Sequence, residues 1–197
     1  MKCITLIDDN YEYNNTIEID VNRSLLNIVF KSLSENEMYN SSKEYRKSMK
    51  LSVSNLIKKI FTLRNPNEYS YYQGYHEYGL YMYLLFLHSE EMSLSILQKL
   101  TEFFFYDCIH ITKHSKTQMQ VFQDILESLL ELIDPEIALR IQAYEIPPSF
   151  GFAWIISWFT HANEDVVLQY RIFDYLLCSH PMCIFYLTAT VKLSNLN

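Results

Sequence analysis

Apolar positions recur at helical spacing over most of this chain. From Tyr45 to Arg64, the residues Met49, Val53, Leu56, Ile57, Ile60 and Leu63 fall on one helical face. Asn65-Pro66 predicts the end of that helix, because proline restricts the residue before it and cannot continue the hydrogen-bond ladder. Tyr72 to His88 is apolar almost all round (Tyr75, Tyr78, Leu80, Tyr81, Met82, Tyr83, Leu84, Leu85, Phe86), which predicts a central helix buried on most sides. Glu90 and Glu91 suit the first turn of a following helix that runs to about Tyr106. Residues 116–133 carry the cleanest amphipathic pattern, with Met119, Phe122, Ile125, Leu126, Leu129, Leu130 and Ile133 in register. Asp134-Pro135 then reads as a helix restart, an N-cap followed by proline at the first helical position. Pro147-Pro148 predicts an extended break. Beyond it the pattern predicts helices over 151–162 and 165–179, and a last one from Pro181.

Two stretches depart from this rhythm. Residues 34–44 are rich in Ser, Asn and Glu and read as a surface loop. Thr16 to Val21 alternates polar and apolar, which on its own suggests a strand. Three glycines and five prolines leave little material for tight turns, so the helical reading prevails and this segment is expected to lie outside any sheet. The predicted fold class is all-α. At 197 residues, with no internal repeat or linker, the chain has room for one substantial core.

Charge and composition remove several function classes. The net charge is −7, and the densest basic pair, Lys58-Lys59, sits inside an apolar helical pattern, so nucleic acid is not expected as a partner. Cys3, Cys108, Cys178 and Cys183 form no C-x-x-C pair, and the apolar stretch at the start is too short for a secretory signal. Free thiols in a reducing, cytoplasmic compartment are the simplest reading, which makes the sequons at Asn15, Asn22 and Asn40 chance matches. The longest apolar run, Phe150 to Phe159, falls short of the roughly 18 residues of a membrane span. His110-x-x-x-His114 has metal-ligand spacing but lacks the glutamate after the first histidine. Cys178-x-His180-x-x-Cys183 offers three ligands where a closed zinc site takes four, with Pro181 among them. No metal is therefore expected. No glycine-rich phosphate loop is present, so the chain is not expected to hold a nucleotide by itself.

Two short motifs stand about fifty residues apart. Ile17-Glu-Ile-Asp20-Val-Asn-Arg23 reads I-x-x-D-x-x-R, and Tyr71-Tyr72-Gln73-Gly74 reads Y-x-Q-G. Taken singly, each has an ordinary reading. Arg23 can pair with Asp20 on a helix surface. Gly74 can serve close helix packing, with Tyr71 and Tyr72 in the core. Yet Gln73 beside a glycine, at the mouth of a buried helix, is an unusual choice for packing alone, since glycine lets the backbone approach a ligand closely. A third stretch, Phe150-Gly-Phe-Ala-Trp154-Ile-Ile-Ser-Trp-Phe159, reads as an aromatic core helix.

In this order, the Arg, Tyr-x-Gln-Gly and Trp motifs resemble the TBC domain, the family of Rab GTPase-activating proteins. The resemblance narrows through Asp20-Val-Asn-Arg23-Ser, Tyr71-Tyr-Gln-Gly-Tyr-His-Glu77 and Phe173-Asp-Tyr-Leu-Leu-Cys-Ser-His-Pro181-Met, which are similar to membrane-anchored members of the endoplasmic reticulum and early Golgi. It implies that Arg23 is an arginine finger and Gln73 a glutamine finger. Asp20 would hold Arg23 in place, Tyr71 and Gly74 would shape the loop that presents Gln73, and Trp154 would support the site. The implied partner is a GTP-bound Rab, which brings the GTP and Mg²⁺, so no cofactor of the chain's own is expected. The same residues on a non-catalytic Rab-binding or scaffold domain are the alternative. Family domains begin well before the arginine motif and continue past the equivalent of Val191. Residues 17–191 are thus expected to form an incomplete domain, between a segment over 1–16 and a tail over 192–197. Apolar residues near Phe185, Leu187 and Val191 are then expected to lie exposed, for want of neighbours.

Overall fold

The computed structural model describes residues 7–24, 43–62, 69–109, 118–144, 151–163 and 165–196. No β-strand occurs among them, and Ile17 to Val21, the alternating segment, lies within helix α1 (Asn14–Arg23). The fold is all-α. The expected breaks at Asn65-Pro66 and Pro147-Pro148, residues 34–42 of the loop expected over 34–44, Phe150, and the His110/His114 pair lie outside the described residues, while Lys43 and Glu44, the end of that expected loop, are helical instead. The chain divides into two compact units, Met1–Thr112 and Lys113–Asn197.

In the first unit α1 is followed by α2 (Lys43–Thr62), α3 (Tyr75–Leu85), α4 (Glu90–Phe103) and the single turn α5 (Tyr106–Ile109). The helix expected over Glu90 to Tyr106 is interrupted at Phe104, because Phe104 and Phe105 both turn their amides to Leu100 O and Phe105 drops into the core. Helix α2 is the scaffold, in contact with α1, α3 and α4. Its apolar face, Met49, Val53, Leu56, Ile57 and Ile60, is the one expected from the spacing, and all five are buried. Helix α3 is buried on nearly every side, as its all-round apolar pattern predicts. It approaches α2 closely at Gly79, where an added Cβ would lie 2.9 Å from Ile57 Cγ1. Tyr75 at its start edges against Phe61 of α2, with ring centroids 5.3 Å apart, and donates its hydroxyl to Thr101 Oγ1 of α4 at 2.6 Å. Ser89 caps α4 by accepting Met92 N–H, and Glu90 and Glu91 occupy the first turn, where the helix dipole favours them.

The second unit holds α6 (Gln118–Ile133), α7 (Pro135–Ala143), α8 (Phe152–Ser157), α9 (Val166–Leu177) and α10 (Cys183–Leu196). The restart at Asp134-Pro135 is built as expected, with Asp134 Oδ1 accepting Ile137 N–H at 3.1 Å. Two expectations are corrected. The helix foreseen over 151–162 stops at Ser157, because Trp158 and Phe159 turn to positive φ (48° and 66°). That conformation is costly for side chains of this size. Burial of both rings offsets it, as does a 2.7 Å bond from the buried Gln169 Nε2 to Trp158 O. Helix α10 runs on to Leu196. Phe185, expected to be exposed, is buried, with its ring edge-on to Phe122 of α6 at 5.4 Å. Leu187 and Val191 are half-buried.

Candidate functional site

Helix α1 gives the first motif its geometry. At about 100° per residue, Ile17, Asp20 and Val21 share one face and Arg23 stands on its flank. Ile17, Asp20 and Val21 are buried and Arg23 is exposed. The helix ends at Arg23 because Ser24 turns back, its Oγ and N–H both donating to Val21 O. Lys50 of α2 donates to the terminal carbonyl of Asn22 at 2.7 Å. An ion pair between Lys58 of α2 and Glu18 fixes the outer side of α1. The arginine is thus carried on a helix end that is anchored on several sides, and its positive charge lies at the dipole end that favours a cation.

The second motif forms a turn. Tyr75 N–H donates to Tyr72 O at 3.2 Å, so Gln73 and Gly74 are its two central residues. Gly74 has φ 108°, a conformation that L side chains rarely adopt, and Gln73 is exposed at the corner. Tyr71 on one side and Tyr75 on the other are buried, so the turn is gripped at both ends.

A buried hydrogen bond joins the two motifs. Tyr71 OH donates to Asp20 Oδ2 at 2.9 Å. Asp20 acts on the glutamine segment directly. Among the described residues, Arg23 makes no ion pair with it. The Tyr71 phenol is held well above its ordinary pKa, first by burial, then by its hydrogen bond to Asp20 and the charge of that carboxylate. Tyr71 N–H donates to Tyr11 OH at 3.1 Å, which pins the same segment to the stretch before α1. His76 and Glu77 are also buried here: His76 Nδ1 lies 3.1 Å from Tyr71 OH, and His76 Nε2 lies 3.1 Å from Glu77 Oε1. The sequence reading gave Tyr11, His76 and Glu77 no role. A signal existed for the last two, a titratable pair inside an otherwise apolar helix, but Tyr11 carried none.

Trp154 belongs to the second unit. Its ring stacks on Phe159 at 5.4 Å and its carbonyl accepts Phe159 N–H, so it braces the left-handed turn at Trp158-Phe159. Among the described residues no group of three or more His, Cys, Asp or Glu side chains could hold a metal ion. His180 Nδ1 accepts Met182 N–H just ahead of α10.

The family model of the Rab-GTPase-TBC domain matches residues 2–196. TBC1 domain family member 20 of Homo sapiens is 30% identical over 133 residues, which cover 66% of this chain and 31% of that protein. The Mus musculus protein of the same name matches to the same extent. GTPase-activating protein gyp10 of Schizosaccharomyces pombe is 27% identical over 146 residues, covering 73% of this chain and 36% of its own length. The chain spans about a third of the length of these curated relatives. With a match over nearly every residue and an all-helical fold around the two motifs, the chain belongs to the Rab-GTPase-TBC domain family.

Proposed function

We propose that this chain is a GTPase-activating protein for a Rab-family small GTPase, and that it supplies Arg23 and Gln73 in trans. The guanidinium of Arg23 neutralises charge that spreads over the transferring phosphoryl. The amide of Gln73 orients the attacking water, in place of the GTPase's own glutamine. The nucleotide and Mg²⁺ arrive with the partner, so the chain contributes side chains to a reaction centred on another protein.

The observation that supports this reading is the buried Tyr71–Asp20 hydrogen bond. It ties the helix that ends in Arg23 to the turn that carries Gln73, while both of those side chains remain exposed. A pair of purely structural residues has no need of exposure. A pair that must enter a partner's nucleotide site needs both exposure and a rigid mount. From the resemblance to the anchored subgroup, we place its action at endoplasmic reticulum or Golgi membranes, reached through the Rab.

The test is single-turnover GTP hydrolysis by a panel of GTP-loaded Rab proteins, with and without the purified chain. At least one Rab is expected to be accelerated. Binding to a GTP-loaded Rab with no acceleration, across the panel, would establish the non-catalytic reading instead.

A further inference from the structure

His76 and Glu77 have no part in that reading, yet they are among the most buried titratable side chains in the first unit, at 5% and 1% exposure. They extend the Asp20–Tyr71 bond into a chain of four side chains: Asp20 Oδ2 to Tyr71 OH at 2.9 Å, Tyr71 OH to His76 Nδ1 at 3.1 Å, and His76 Nε2 to Glu77 Oε1 at 3.1 Å. The direct separation from His76 Nδ1 to Asp20 Oδ2 is 4.0 Å, too long for a hydrogen bond, so the link passes through the phenol.

Counting protons fixes the direction of the chain. A phenol has one hydrogen to give. Donated to an ionised Asp20, it leaves the Tyr71 oxygen only able to accept. His76 must then carry a hydrogen on Nδ1. His76 Nε2 stands at ion-pair distance from Glu77 Oε1, which fixes the orientation of the ring. With Asp20 ionised, no other arrangement satisfies both hydrogen bonds of the phenol.

Stability does not explain the pair. Glu77 Oε2 is buried with no hydrogen-bond partner, which costs folding free energy. Apolar residues of similar shape would fill these positions without that penalty. What the pair does accomplish is to set the hydrogen on Tyr71.

We propose that His76, oriented by Glu77, is a positioning residue for the glutamine: its Nδ1–H directs the Tyr71 hydroxyl onto Asp20 and so fixes the Gln73-Gly74 turn relative to α1. This rests on the function proposed above. Without the imidazole the hydroxyl loses the side-chain partner that sets its direction, the turn is held less firmly, and Gln73 spends less time where it can orient water.

The experiment is a double-mutant cycle, read as single-turnover hydrolysis by a responsive GTP-loaded Rab from the panel. His76→Asn is expected to lower the maximal rate about tenfold while moving the half-saturating concentration less than about twofold, and to cost nothing further in a Gln73→Ala background. An equal loss in both backgrounds, or no loss at all, overturns the proposal. Should His76→Asn fail to melt cooperatively, Tyr71→Phe, which removes only the shared hydroxyl, is run through the same cycle with the same outcomes. If Gln73→Ala alone keeps the full rate, the dual-finger function itself falls. The imidazole can be read without any GTPase, by ¹⁵N NMR of the folded chain. A hydrogen on His76 Nδ1 is expected, and a ring protonated on Nε2 alone refutes the proposal.

Discussion

Arg23 and Gln73 are exposed, so replacing them tests chemistry with little penalty to the fold. Arg23→Ala is expected to lower Rab stimulation by roughly 10³–10⁵, the worth of an arginine finger. Arg23→Lys is expected not to restore it, because an ammonium cannot reproduce the planar fork of the guanidinium. Gln73→Ala should slow hydrolysis and leave affinity for the GTP-loaded Rab largely intact. Melting curves on the same three proteins check the separation, since exposed substitutions of this kind shift stability by about 0.5 kcal/mol or less. Gly74 is different in kind. Its φ of 108° penalises any Cβ, so Gly74→Ala is expected to cost about 1–2 kcal/mol, seen as a lowered melting temperature, and to disturb the Gln73 turn with it. At this scale the sequence was partly legible. The family could be read from the order of the motifs. The partner of Asp20 could not, because Tyr71 is 51 residues away and no local pattern encodes a contact at that separation.

Helices were legible where one physical signal dominated. The apolar stripe of α2, the all-round burial of α3 and the Asp134-Pro135 start of α7 each follow from spacing or capping chemistry alone. The break after Ser157 was not legible. Trp-Phe-Thr continues an apolar helical pattern, and only the tertiary bond from Gln169 to Trp158 O, with both rings buried, makes the left-handed turn the better solution. Helix α9 illustrates how much one cap can carry. Asp165 Oδ1 accepts both Val167 N–H at 2.9 Å and Leu168 N–H at 3.1 Å. Asp165→Ala is expected to cost about 1 kcal/mol of stability, measured by chemical denaturation. Asp165→Asn should recover most of that, since an amide oxygen still accepts.

Across the whole molecule the density of buried tyrosine governs how the protein meets alkali. Tyr11, Tyr71, Tyr72 and Tyr78 all have phenols raised above their ordinary value of 10.0, with burial the leading cause in each. A folded-state value above the unfolded one means that the stabilisation is complete below pH 10 and is lost as the pH rises beyond it. Alkaline titration followed by phenolate absorbance is therefore expected to show exposed tyrosines ionising first and the buried group only together with loss of helical circular dichroism. Independent, gradual ionisation of all of them would contradict the packing described for the first unit. The hydrogen bond between Asp20 and Tyr71 also bears on how the chain comes to be competent. Helical turns form within about a microsecond from neighbouring residues, whereas a contact across fifty residues must wait for a long loop to close against its own entropy. The helix that ends in Arg23 and the turn that carries Gln73 therefore cannot be joined on one frame until late in folding. In refolding from denaturant, helical signal should return first and stimulation of GTP hydrolysis afterwards. During synthesis, a chain that has made α1 but not yet Tyr71 carries its arginine with nothing to aim it.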